Sequence, residues 1–111
     1  MAEQIIYQAP IASVPFTFDF SADMPSTDSS LNDVTGGSAS TITAAKYDGT
    51  DVSSTILSGK TRTTLTLIVT IAALTEGEDY RVTFTGIGTT SGAKVVKVLE
   101  VRARAKISGG F

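Results

Sequence analysis

The chain has no cysteine, no histidine and no tryptophan. Without cysteine it can form neither disulfides nor thiolate metal sites. Without histidine it lacks the commonest general base and the commonest metal ligand. Any catalysis would have to run on carboxylates, Lys or Tyr. Long apolar runs are also missing. The longest, from Leu65 to Leu74, is interrupted by Thr and far too short to span a bilayer. There is no excess of basic charge: the net charge is −2 and the charges are scattered, unlike the basic footprint of a nucleic-acid binder. The start, Met1-Ala2-Glu3-Gln4, lacks a basic segment followed by an apolar one, so no secretion signal is expected. The expectation is a chain made and kept in the cytosol, or leaving it only within an assembly.

What is present is β chemistry. The 111 residues suit one domain, large enough to bury roughly 65% of its unfolded surface without staples. Thr is the commonest residue, and Val and Ile together far outnumber Leu. Branched side chains lose rotamer freedom in helices and fit a pleated sheet.

The most informative stretch is Leu74-Thr75-Glu76-Gly77-Glu78-Asp79-Tyr80, followed by the alternating Arg81-Val82-Thr83-Phe84-Thr85. Gly77 suits a tight turn. Tyr80 then opens a strand, and its hydroxyl is expected to return to the backbone a few residues upstream, the tyrosine corner of immunoglobulin-like folds. Turn signals elsewhere recur every 8–12 residues or so, as in a sandwich.

Seven strands are expected. They are Gln4 to Gln8, Val14 to Phe20, Thr41 to Tyr47, Val52 to Leu57, Arg62 to Ala72, Tyr80 to Ile87 and Ala93 to Ala105. Phe16, Phe18 and Phe20 share one face of the second strand. Leu65, Leu67, Val69 and Ile71 share one face of the fifth, with Thr64, Thr66, Ile68 and Thr70 outward. Ser58-Gly59-Lys60 reads as a turn. The Ser- and Asp-rich stretch from Ser21 to Ser40 is a long loop, either functional or disordered, with Leu31 and Val34 as anchors. The expected fold is an all-β, immunoglobulin-like antiparallel β-sandwich of about seven strands with extended N- and C-terminal arms. Residues 1–13 form the N-terminal arm, 14–105 the sandwich and 106–111 the C-terminal tail.

No constellation carries chemistry. Asp19, Asp23, Asp28 and Asp33 match no calcium loop spacing and read as local turns and caps, as do Asp48 and Asp51. Glu76, Glu78 and Asp79 crowd one turn, whereas a glycosidase pair must face across a cleft. Gly86, Gly88 and Gly92 precede no helix, so no phosphate cradle follows. The expectation is no enzyme, no cofactor and no metal. Lys94, Lys97, Arg102 and Arg104 serve solubility, edge protection or an acidic partner.

The last strand has apolar residues in both phases. Either a bulge shifts it near Lys97, or Val96 and Val98 stand outside and need cover, which Ile68 on the outward face of the fifth strand favours. In the N-terminal arm, Ile5, Ile6, Tyr7 and Ile11 are too apolar for an idle tail. The candidate contact residues are therefore Ile5, Ile6, Tyr7, Ile68, Val96, Val98 and the terminal Phe111. Deleting residues 1–13 is expected to leave the sandwich folded and to abolish assembly.

The run Pro15-Phe16-Thr17-Phe18-Asp19-Phe20-Ser21-Ala22, then Ile42-Thr43-Ala44-Ala45, Asp48-Gly49-Thr50-Asp51-Val52, Gly77-Glu78-Asp79-Tyr80-Arg81-Val82-Thr83 and Thr89-Thr90-Ser91-Gly92 resembles bacteriophage immunoglobulin-like virion proteins of the fibre–tail adaptor or neck type. The resemblance spans roughly positions 15 to 105. It implies a structural adaptor or connector in the tail or neck, present in several copies in the virion and assembled in the host cytoplasm. Its partners would be other tail, neck or fibre subunits, with neither nucleic acid nor membrane. The alternatives are a head decoration protein, or an adhesion or carbohydrate-binding immunoglobulin-like module with Tyr47 exposed.

Overall fold

The computed structural model describes residues 4–35 and 39–104. Among them the order is β1 (Gln4–Gln8), β2 (Val14–Asp19), β3 (Thr41–Lys46), α1 (Ser53–Ile56), β4 (Leu57–Thr63), β5 (Thr66–Ile71), β6 (Asp79–Ile87) and β7 (Lys94–Ala103). Two sheets face each other: β1-β7-β6-β3 and β2-β5-β4. With seven strands in two facing sheets among the described residues, the chain is an all-β sandwich. All pairings are antiparallel except β1 with β7, which is parallel. Thus the Gln4–Gln8 part of the expected arm is the edge of a sheet rather than an extension beyond it. The tail from 105 onward, Phe111 included, lies outside the described residues.

Alternation explains the inner faces. Leu67, Val69 and Ile71 of β5 meet Tyr80, Val82 and Phe84 of β6 and Leu99, Val101 and Ala103 of β7 in one buried cluster. Phe18 sets its ring edge-on to Phe84 at 4.8 Å, and Phe16 stands edge-on to Phe18 at 5.2 Å. Phe20 is fully buried. The corner forms as its residues require. Gly77 has φ +86°, and the backbone N–H of Thr75 donates to the Tyr80 hydroxyl at 2.9 Å.

The middle of the chain departs from expectation. Val52 to Leu57 is not a strand. Asp51 Oδ1 accepts from both the backbone N–H and the hydroxyl of Ser53, and Ile56 N–H closes back on the Val52 carbonyl, winding residues 53–56 into a helical turn. Ile56 ends the turn buried, and Leu57, also buried, opens β4. The strand comes next, and Ser58-Gly59-Lys60 lies inside it as an irregularity. The register shifts between Ser58 and Thr61, with Gly59 at φ +62°. The expected long strand from Arg62 to Ala72 is really two strands. The chain reverses at Thr64, whose φ of +53° is unusual for a branched residue. Long-range bonds hold this turn: Leu31 N–H donates to the Thr64 carbonyl and Phe20 N–H to that of Leu65, both at 2.8 Å.

The described part of the 21–40 loop is anchored as well. Leu31 is fully buried and bridges to Gly88. The Asp28 carboxylate accepts the backbone N–H groups of Thr90 at 2.7 Å and Ser91 at 2.9 Å, together with the Ser91 hydroxyl. These bonds, the Ser91 hydroxyl first, hold the Asp28 carboxyl below its ordinary range. A Cβ on Gly88 would stand 2.5 Å from that carboxylate, so a side chain at position 88 would have to displace Asp28 from these bonds.

Candidate contact surface

The β6–β7 register runs unbroken from Asp79–Arg102 to Ile87–Lys94. No bulge shifts the phase near Lys97. Leu99, Val101 and Ala103 therefore point inward, and Val96, Val98, Glu100 and Arg102 point outward. Lys97 shares the inward phase at the open end of the core. Its stem runs past Phe18 and Phe20, with Nζ 5.9 and 5.8 Å from the ring centres, and its ammonium pairs with Asp23 at 2.6 Å. That is snorkelling: the stem covers apolar surface and the charge reaches water.

On the adjoining edge strand, Ile5 lies beside Glu100 and Tyr7 beside Arg102. Ile5, Tyr7 and Val96 are 49%, 47% and 52% exposed, and Val98 is half-buried. Four of the seven expected contact residues thus share the outward face of the four-stranded sheet. Ile6, in the opposite phase, packs against the core instead. Ile68 is on the outward face of the other sheet, between Thr17 and Thr61, on the far side of the sandwich.

Sequence reading missed the polar layer in this face. Glu100 is 6% exposed although it points outward. Its carboxylate accepts Arg102 Nε–H at 2.6 Å, and the Tyr47 hydroxyl acts on its ionisation. Arg102 Nη1 also donates to the Tyr7 hydroxyl at 3.2 Å. Arg81 lies over the Tyr47 ring at 5.1 Å and Arg102 over the Tyr7 ring at 5.8 Å, geometry suited to cation–π attraction. The Tyr47 hydroxyl first, and then Arg102, hold the Glu100 carboxyl below its ordinary range. The same carboxylate pushes the Tyr47 hydroxyl and the Arg102 guanidinium upward. The signal available in the sequence was phase: Glu100 and Arg102 continue the Val96–Val98 face.

This arrangement keeps the Glu100 carboxylate ionised. A carboxylate saturated by donors and kept ionised is a poor general acid or base at neutral pH. Three other acids also have partners. Asp19 accepts from Ser21 N–H and Asp33 from Val34 N–H, and Asp79 pairs with Arg104 at 2.9 Å. Among the described residues no three acidic groups converge on a metal position. A polar depression of about 620 Å³ at the β6–β7 hairpin is lined by Thr41, Thr85, Thr90, Ser91 and Lys94, among others, with no carboxylate in its wall. No described helix is long and apolar enough to cross a membrane.

Comparison with family models, with curated proteins and with solved structures returned no match.

Proposed function

We propose that the chain is a structural, non-enzymatic subunit of a bacteriophage particle, an adaptor or connector of the tail or neck that works through protein–protein contacts. The observation that carries the contact role is the shared outward placement of Ile5, Tyr7, Val96 and Val98 above the Glu100–Arg102–Tyr47 layer. Contact cores favour rigid aromatic and Arg side chains, which bring large area at little cost in lost motion. Here the hydrogen bonds of the layer fix these groups before any partner arrives. The assignment to a phage particle rests on the sequence resemblance alone. A cysteine-free sandwich suits it, because such a fold needs no oxidising compartment.

Labelling of particles purified from the native host, with an antibody against this chain, tests the reading. Signal at a fixed place on the tail or neck is expected. Signal over the head favours the decoration alternative. Absence from particles overturns the proposal. Tyr7 and Tyr47 are both about half exposed on this face, 47% and 54%, so a sugar-binding role has a specific observation in its favour. Glycan-array binding lost in Tyr47→Ala would support that role instead.

A further inference from the structure

We propose that β1 is an exchangeable strand: two copies of this chain pair by each seating its Gln4–Gln8 segment on the β7 edge of the other. This goes beyond the particle reading and does not rest on it.

The strand and its seat are unequally built. Along the seat, β7 presents Leu99, Val101 and Ala103, all fully buried, opposite Gln4, Ile6 and Gln8. The strand in return sends inward one large apolar side chain, Ile6, and the amide of Gln8. Ile5 and Tyr7 point away and are about half exposed, 49% and 47%. Edge segments with little buried apolar area open before the rest of a domain does. When β1 opens, it leaves a long strand edge whose backbone groups template a new partner.

The contacts in the seat name the occupant. Gln8 Nε2 donates to the Ile71 carbonyl of the other sheet at 2.8 Å, and the Tyr7 hydroxyl accepts from Arg102 at 3.2 Å. These are specific to this strand, and a second copy's β1 reproduces them one for one. Exchange then costs little, because the bonds lost in one copy are regained in the other.

The link between β1 and β2 supplies a gain found only in the exchanged pair. Residues 9–13 cross from one sheet to the other through a turn in which Ala12 N–H meets the Ala9 carbonyl at 2.9 Å. Ile11, in this turn, is 99% exposed. In the closed chain nothing among the described residues covers it. In the proposed pair the two links run past each other, and each Ile11 is expected to gain a neighbour.

A cysteine pair tests this without background, since the chain has no cysteine of its own. Gln8 and Ala103 are partners in the register and are 5% and 0% exposed. Sulfurs introduced by Gln8→Cys with Ala103→Cys therefore meet only when a β1 occupies the seat. The variant is equilibrated over a range of concentrations, oxidised, and run denatured without reductant. The expected result is a covalent dimer whose share rises with concentration. A crosslinked monomer alone at every concentration overturns the proposal. Ile6→Cys with Val101→Cys probes the same seat, should the first pair fail to fold. Ile11→Ser is expected to weaken dimer formation by about tenfold, the scale of one buried aliphatic side chain. An unchanged dimer share would remove the link from the account.

Discussion

The two outward faces of this sandwich are made differently although the inner faces are alike. Both inner faces are aliphatic and aromatic and meet in one core. Outside, the three-stranded sheet shows Thr17, Asp19, Ser58, Thr61, Thr63, Thr66 and Thr70 around Ile68, with Pro15 beside Thr70. The four-stranded sheet shows Ile5, Tyr7, Val96 and Val98 around a buried carboxylate. Lone apolar residues on a surface are ordinary, so Ile68 among threonines has no special meaning. Several on one face, over groups fixed by hydrogen bonds, are what the proposed contact surface rests on. The fold therefore comes from what the sheets share, and specificity from what they do not.

The comparison is broken most severely by charging each face. Ile5→Asp with Val96→Asp is expected to reduce incorporation into particles, in competition with the unaltered chain, by about thirtyfold or more, the scale of a lost hot spot. Its thermal melt should be nearly unchanged, because both side chains are already about half in water. Ile68→Asp, the counterpart, should incorporate normally. The reverse pattern would exchange the roles of the faces.

A smaller effect separates the acids. Glu100→Ala strips Arg102 Nε of its acceptor, and urea denaturation should report a loss of about 1–2 kcal/mol. Asp19→Ala, on the other sheet, removes an exposed acid and should stay within about 0.5 kcal/mol.

Acid unfolding sharpens the same contrast. The Glu100 carboxyl is held below its ordinary value of 4.5. Its stabilisation is thus fully present above that value and is lost as pH falls through the lower folded one. Glu100→Gln should start less stable at neutral pH and lose less between pH 4.5 and the acid limit than the unaltered chain. Equal slopes in urea midpoints across that range would contradict the layer.

The mildest change is Tyr47→Phe. It removes the hydroxyl that lowers the Glu100 carboxyl most. A loss of about 0.5–1 kcal/mol is expected, with the Glu100 titration, followed by NMR, moving up toward the ordinary value.

Much of this was legible where local chemistry and tertiary fate agree. Gly77 and Tyr80 announced the corner, and the alternation of β6 named its buried residues, while β7, apolar in both phases, left a bulge open until its register excluded one. The reversal at Thr64 was not legible. No Gly or Asn marks it, and its supports come from Leu31 and Phe20, far away in sequence. Residues 53–56 alternate poorly as a strand, yet their helical turn depends on Asp51 and Ser53 bonding each other, which propensity does not reveal. On the contact surface, phase identified Val96 and Val98. It could not reveal that Tyr47, from the far edge of the sheet, reaches Glu100, because that contact crosses two strand boundaries.

The most direct test of a one-sided contact surface is hydroxyl-radical footprinting of the chain, free and incorporated into particles. The account predicts that oxidation of Tyr7 and Tyr47 falls on incorporation while that of Ile68 is unchanged. Protection of Ile68 with both tyrosines still reactive would contradict it.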